Sequence, residues 1–278
     1  MDTAWLDGDL ANQIKEAEKA DIYQYSGPIS EEGLERLQPL FANPSYSRAI
    51  LILTTGGGDM AAAYRIARQF HRVYDRLTVY IPDCCMSAGT LVALGAHDLI
   101  MHPNAEIGPI DPQLRAHNEL CVRESALSSY SALIGLGDAA FDILERTAFN
   151  LAEKSEAGIS FRLGSQVGAN LATGLMAGLV SKLDPATIGT RQLAIDAVTQ
   201  YGFRLVRASG NASEETVRRL VMEYPVHSFV IDYAEASELF NSVSEPSDLL
   251  KLYGTTLAHP EITIIRADPA EAEDEIPF

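Results

Sequence analysis

Ser87 stands in Cys85-Met86-Ser87-Ala88-Gly89-Thr90, between a predicted strand and a predicted helix, with small residues after it. A nucleophilic serine needs that exposure. At a helix N-terminus, the Ala88 N–H and the helix dipole favour negative charge beside it. A lone serine in this place more often serves only as an N-cap. Upstream, Thr54-Thr55-Gly56-Gly57-Gly58 ends an apolar run. Without side chains, Gly56 and Gly57 leave backbone N–H groups uncovered for an anion or a developing oxyanion, although such turns also serve tight packing alone. A third feature is the proline-rich loop Pro103-Asn104-Ala105-Glu106-Ile107-Gly108-Pro109-Ile110-Asp111-Pro112. Placed after a strand, it shapes a groove or turns the chain. Together these residue types point to acyl transfer.

Parallel strands would position all three features, because ligands gather beyond the strand C-termini. Ile50 to Leu53 reads as a buried strand running into the glycine turn, and Asp59 caps a helix with Ala62, Ile66, Ala67 and Phe70 on one face. Leu77, Val79 and Ile81 mark a second strand; Leu91, Val92 and Leu94 a short helix after Ser87; Asp98 to Met101 a third strand. Asp21 to Tyr25 adds one more, with a helix from Ser30. The alternation predicts an α/β fold with a mostly parallel sheet. After Pro112 the pattern becomes alanine-rich and helical, over about 126–156, 158–182 and 189–203. We divide the chain into an N-terminal helix (1–20), a core (21–114), a helical insertion (115–205), a closing part of the core (206–266) and an acidic tail (267–278).

Twenty-one basic against 38 acidic residues leave a net charge of −17, which repels phosphate backbones and anionic membrane surfaces. Nucleic acid is an unfavourable partner. The acidic N-terminus lacks the form of an export signal, and the apolar stretch 163–183 is broken by glycines and polar residues, so no membrane span is expected. Cys84, Cys85 and Cys121 offer neither a disulfide framework nor a metal spacing, which fits a reducing cytoplasm. His71, His97, His102, His117, His227 and His259 lack the spacing of a metal site, so no metal is expected. The glycine turn lacks a following Gly-Lys-Ser/Thr, which disfavours nucleotide binding and leaves no cofactor implied.

Tyr25-Ser26-Gly27-Pro28-Ile29, Thr54-Thr55-Gly56-Gly57, Met86-Ser87-Ala88-Gly89-Thr90-Leu91 and the run from Asp98 to Asp111-Pro112-Gln113-Leu114 resemble the serine dehydrogenase proteinase family. That family groups with the Clp protease proteolytic subunit and signal peptide peptidase A in the Clp/crotonase fold, a repeated β-β-α superhelix. The likeness covers about residues 21–114 and resumes at Tyr224-Pro225-Val226-His227-Ser228-Phe229-Val230-Ile231-Asp232. By resemblance, Ser87 is the nucleophile of a serine peptidase, with Gly56 or Gly57 and Ala88 as oxyanion donors. The place of the Clp histidine falls at Ile110 or Asp111, while His227 matches the place of the Clp triad aspartate. The resemblance therefore implies an exchange of roles, His227 as base and Asp111 as its orienter, with Asp232 in reserve. Signal peptide peptidases use a lysine instead, for which Lys154 is the better placed here. His97 and His102 flank the third strand and rank below His227.

The resemblance also implies a homo-oligomer whose contacts the helical insertion supplies, acting on small or unfolded peptides. Any unfolding ATPase or regulatory partner would be a separate chain. Two other functions share the fold: a crotonase-type acyl-thioester enzyme, which needs no nucleophilic serine, and an inactive oligomeric scaffold.

Overall fold

The computed structural model describes residues 8–115, 123–156, 158–254 and 263–266. In chain order its elements are α1 (Gly8–Glu18), β1 (Asp21–Ser26), α2 (Glu31–Leu37), β2 (Arg48–Thr54), α3 (Met60–Val73), β3 (Arg76–Ile81), β4 (Cys84–Cys85), α4 (Ala88–Leu94), β5 (Asp98–Met101) and β6 (Glu106–Ile107). There follow β7 (Gln113–Arg115), β8 (Arg123–Ser125), α5 (Leu127–Lys154), α6 (Phe161–Val180), α7 (Pro185–Ser209), α8 (Glu214–Met222), α9 (Tyr233–Leu239), β9 (Val243–Ser244), α10 (Asp248–Gly254) and β10 (Thr263–Arg266).

The main sheet has the order β10-β1-β2-β3-β5-β9, parallel throughout except for β10 on β1. Both faces are covered, which is why β2 is an unbroken apolar run rather than an alternating one. On one face Ile22, Ile50, Ile52, Tyr80 and Ile100 pack with Ala11 and Ile14 of α1 and with Leu250 and Tyr253 of α10. On the other, Tyr23 meets the rings of Phe41, Phe70 and Tyr74 at 5.1–5.9 Å between centroids. Such apolar burial is the main stabilising contribution of this part of the molecule.

A second, smaller layer of strands leaves the main sheet at its C-terminal edge. Thr55 bridges Cys85; β4 pairs with β6 in parallel; Ile107 bridges Ile231 in antiparallel fashion. The unit β3-β4-α4 gives one strand to the main sheet, a two-residue strand to the small layer and a helix; β5 and β6 share the two layers in the same way, while β1 and β2 reach the small layer only through the single bridges of Ile29 and Thr55. This is the mixed α/β, β-β-α architecture that the sequence motifs imply.

The chain forms two compact units, residues 1–111 with 197–278, and residues 112–196. The second contains the β7–β8 hairpin and an antiparallel pair of helices, α5 and α6. Gly164 and Gly168 make that pairing close, because a Cβ on either would come within 2.9 and 2.7 Å of the carbonyls of Ala148 and Leu144. Helix α7 begins at Pro185, ahead of the expected start near Gly189, and runs to Ser209 past the expected end at 203. Asp184 accepts from the Ala186 and Thr187 amides, and Pro185 takes the first helical position, where its missing N–H costs nothing. The tail 267–278, Cys121, His117 and His259 lie outside the described residues. Among the described residues no helix is long and apolar enough to cross a membrane, and no group of acidic, histidine or cysteine side chains is arranged to hold a metal ion.

Candidate active site

The site assembles in the first unit, beyond the C-terminal ends of β2, β3 and β5. Ser87 links β4 to α4 in a backbone conformation of φ 52° and ψ −111°, outside the ordinary range for an L-residue. Its side chain makes no capping hydrogen bond, so the N-cap function open to a serine here is not exercised. The turn is held from both sides. Met86 N–H donates to Thr55 C=O at 2.9 Å, and Thr55 N–H donates to Cys84 C=O at 2.9 Å. Thr90 donates to Cys85 C=O at 2.9 Å and accepts from Gly108 N–H at 3.2 Å, tying the Ser87 turn to the proline-rich loop.

The glycine turn lies against Ser87: a side chain on Gly57 would meet Ser87 Cβ at 2.9 Å and Oγ at 3.4 Å. Gly57 has a φ of 107°, in the region that favours glycine. Its N–H is not open, as the sequence reading supposed. It donates to Thr55 Oγ1 at 3.0 Å, because the residue two before it carries a hydroxyl turned into the loop. The amides of Gly56 and Ala88 have no hydrogen-bond partner among the described residues, and Ala88 opens α4, where such an amide is left without an intrahelical acceptor.

Asp111 and His227, far apart in sequence, meet. His227 Nδ1–H donates to Asp111 Oδ1 at 2.7 Å across a sequence separation of 116. Asp111 is 4% exposed and the His227 side chain 31%, so the pair runs from the interior to the surface of the unit. Each partner is fixed by its own segment. Ile110 N–H donates to Leu220 C=O at 3.0 Å beside Asp111. Ile107 and Ile231 exchange backbone bonds of 3.0 and 2.9 Å, and Phe229 N–H closes a turn onto Val226 C=O around His227. Tyr224 packs against Phe229 at a tilt, 5.0 Å between ring centroids, and burial with the Glu235 hydrogen bond raises its phenol far above the ordinary range, keeping it protonated. Met86 connects the two halves, since a side chain on Gly108 would collide with its Cε at 2.5 Å and approach Phe229 C=O at 3.6 Å. Ser87 Oγ itself makes no hydrogen bond among the described residues, to His227 or to any other group.

The remaining residues singled out by sequence are used otherwise. Asp232 caps α9 by accepting from Glu235 N–H, which occupies it as a helix cap. His102 Nδ1 accepts from Asn104 N–H at 3.2 Å and braces the loop turn. His97 stands at the opposite, N-terminal end of the main sheet, accepting from Leu77 N–H and meeting His71 edge to face at 5.3 Å. Burial and the neighbouring His71 hold the His97 imidazole below its ordinary range. Lys154 belongs to the second unit, exposed in the last turn of α5. Burial raises the Cys85 thiol well above its ordinary range, and burial with Asp83 and Glu106 raises that of Cys84, so neither is a ready thiolate. The sequence reading missed Thr55 and Thr90. Their only local mark is a hydroxyl residue within three positions of the glycine turn and of Ser87.

Residues 22–126 match the family described as ClpP-like SDH-type serine proteinase. An uncharacterized protein of Methanocaldococcus jannaschii, MJ0137, is 40% identical over 84 residues, 30% of this chain and 29% of that protein. A second from the same organism, MJ1495, is 35% identical over 95 residues, 34% of this chain and 32% of that protein. The match therefore spans about a third of each relative's own length. Among solved structures, a variant of the 1510-N membrane-bound stomatin-specific protease gives a TM-score of 0.49 at 14% identity, covering 82% of this chain and 80% of that one. ClpP1 from Listeria monocytogenes gives 0.45 at 13%, covering 87% and 99%. The ordered sequence motifs and the family match fall on the same stretch, and over residues 22–126 this chain is similar to the ClpP-like SDH-type serine proteinases.

Proposed function

We propose that this protein is a serine peptidase that cleaves peptide bonds through an acyl-enzyme on Ser87. The observation that carries the proposal is the 2.7 Å His227–Asp111 hydrogen bond, formed across 116 positions, in a unit where the backbone-strained Ser87 follows Met86, whose side chain lies against Gly108 of the loop that leads to Asp111. Asp111 accepts a hydrogen bond from Nδ1–H, which keeps its proton, and so fixes the tautomer that leaves Nε2 as the base. Ser87 Oγ attacks the substrate carbonyl carbon while His227 Nε2 takes its proton. The Ala88 amide and the glycine turn receive the oxyanion. His227 then returns the proton to the leaving amine as the carbon–nitrogen bond breaks, and water releases the acyl group by the same route.

Small or already unfolded peptides are the substrates, and an unfolding ATPase, where one acts, is a separate chain. The protein acts as a homo-oligomer; support comes from the family resemblance and from the second unit, where Phe141, Phe149, Phe161 and Leu175 are more than half exposed. The free Cys84 and Cys85 suit a reducing cytoplasm.

Fluorophosphonate labelling with site mapping tests the mechanism on the wild type and on Ser87→Ala, His227→Ala and Lys154→Ala. Labelling at Ser87 that is lost in His227→Ala and retained in Lys154→Ala is expected. Folded wild type that never labels would replace the peptidase with the inactive scaffold or the acyl-thioester enzyme. Labelling lost only in Lys154→Ala would move the base to the lysine.

A further inference from the structure

The Gly57 amide is engaged with Thr55 on both sides: its N–H donates to Thr55 Oγ1 at 3.0 Å, and the hydroxyl donates back to Gly57 C=O at 3.3 Å. Thr55 is 2% exposed, and its backbone is pinned between Cys84 and Met86. Its methyl lies against Gly89, where any side chain would collide with it. The hydroxyl is therefore a fixed point under the glycine turn. The peptide that carries the N–H is not fixed in the same way. It turns about ψ of Gly56 and φ of Gly57, torsions that glycine leaves nearly free, and Gly56 has open space where a side chain would stand.

We propose that Thr55 is a positioning residue for the reaction at Ser87: its hydroxyl keeps the Gly57 amide turned inward at rest and yields it to the oxyanion. This rests on the serine-peptidase reading. A buried N–H without an acceptor is costly, so the resting loop needs one. A neutral hydroxyl is a weaker acceptor than a charged oxygen, so the exchange becomes favourable as charge grows on the substrate carbonyl. The Gly57 interaction is then realised in the transition state more than in the bound substrate, and the Thr55 bond given up for it is subtracted from the stabilisation it brings, so that removing the hydroxyl speeds the reaction.

The test compares wild type with Thr55→Val and Thr55→Ala, which lack the acceptor, and Thr55→Ser, which keeps it. Two quantities are read: the chemical shift and exchange rate of the Gly57 amide by nitrogen-15 NMR, and the rate of fluorophosphonate labelling at Ser87. In the valine and alanine variants the amide exchanges faster and labelling speeds up about two- to tenfold, the shift expected from one net hydrogen bond. Thr55→Ser stays at wild-type values in both. An unmoved Gly57 amide in folded Thr55→Val or Thr55→Ala overturns the proposal. So does a moved amide with labelling no faster than wild type. Wild type that never labels removes the peptidase reading and the role with it, and a Gly57 amide that still answers to Thr55 would then identify the chemistry, not the hydrogen bond, as what failed.

Discussion

The two compact units place their apolar residues differently. In the first, strands covered on both faces bury Ile50, Leu51, Ile52 and Leu53 completely, and the carboxylate of Asp111 enters the interior with a partner, His227. In the second, close contact is made by small residues, Gly164 and Gly168 on Ala148 and Leu144, while large ones such as Leu175 and Phe161 remain more than half exposed. The first arrangement suits a site whose groups must be held within about 0.5 Å of a productive geometry. The second fixes helix axes and leaves side chains available to a partner surface.

The sharpest way to break this contrast is at Ser87. Ser87→Ala should lower peptide hydrolysis at least about 10³-fold, with helical circular dichroism unchanged. His227→Ala and Asp111→Asn come next, each lowering turnover by about 10²–10⁴-fold without changing substrate affinity comparably, read from separate kcat and KM values. In the other unit Gly168→Val should leave the chemistry at Ser87 unchanged while costing about 1–3 kcal/mol, read by hydrogen exchange of the α5 and α6 amides, because its side chain must displace the Leu144 backbone. Back in the first unit, Ser87→Gly should abolish labelling yet raise thermal stability by about 1 kcal/mol, by releasing the positive φ. A drop in stability would mean that the Ser87 side chain, and not the conformation, is what the fold requires.

The smallest effect is on pH. His97 is held below its ordinary range by burial and by His71, so the folded state favours its neutral form. Its contribution is complete above the imidazole range of the unfolded chain and declines as the pH falls through that range and then through the lower folded value. Denaturant melts from pH 8 to pH 5 should show this slope in the wild type and a shallower one in His97→Gln.

Much of the first unit was legible because buried parallel strands write themselves as continuous apolar runs ended by glycine or proline, as at Ile50–Gly58. At Leu77–Pro82 the alternation of Leu77, Val79 and Ile81 suggested more exposed positions between them, but Thr78 and Tyr80 are buried too, because helices cover both faces of the sheet. The two-residue strands β4 and β6 were not legible, since they exist through their partners rather than through local preference. The early start of α7 was written in Asp184-Pro185, a cap followed by a first-turn proline, but the glycine at 189 drew the boundary inward. The juxtaposition of Asp111 and His227 was accessible only through motif order, because no local pattern joins residues so far apart. Thr55 lay beyond either route. Whether a threonine hydroxyl faces a neighbouring amide depends on packing around its methyl, here on Gly89, and that is settled only in three dimensions.

The separation of 116 positions between Asp111 and His227 has a consequence for biosynthesis. On the ribosome, the turn carrying Ser87 emerges, and the strands before it can pair with their neighbours, well before the segment that closes at Ile231 has been made. On the proposed mechanism, an incomplete chain holds a nucleophile without its base. A polypeptide that stops short of the segment carrying His227 is therefore inert toward its neighbours, and proteolytic competence waits until that segment has been made.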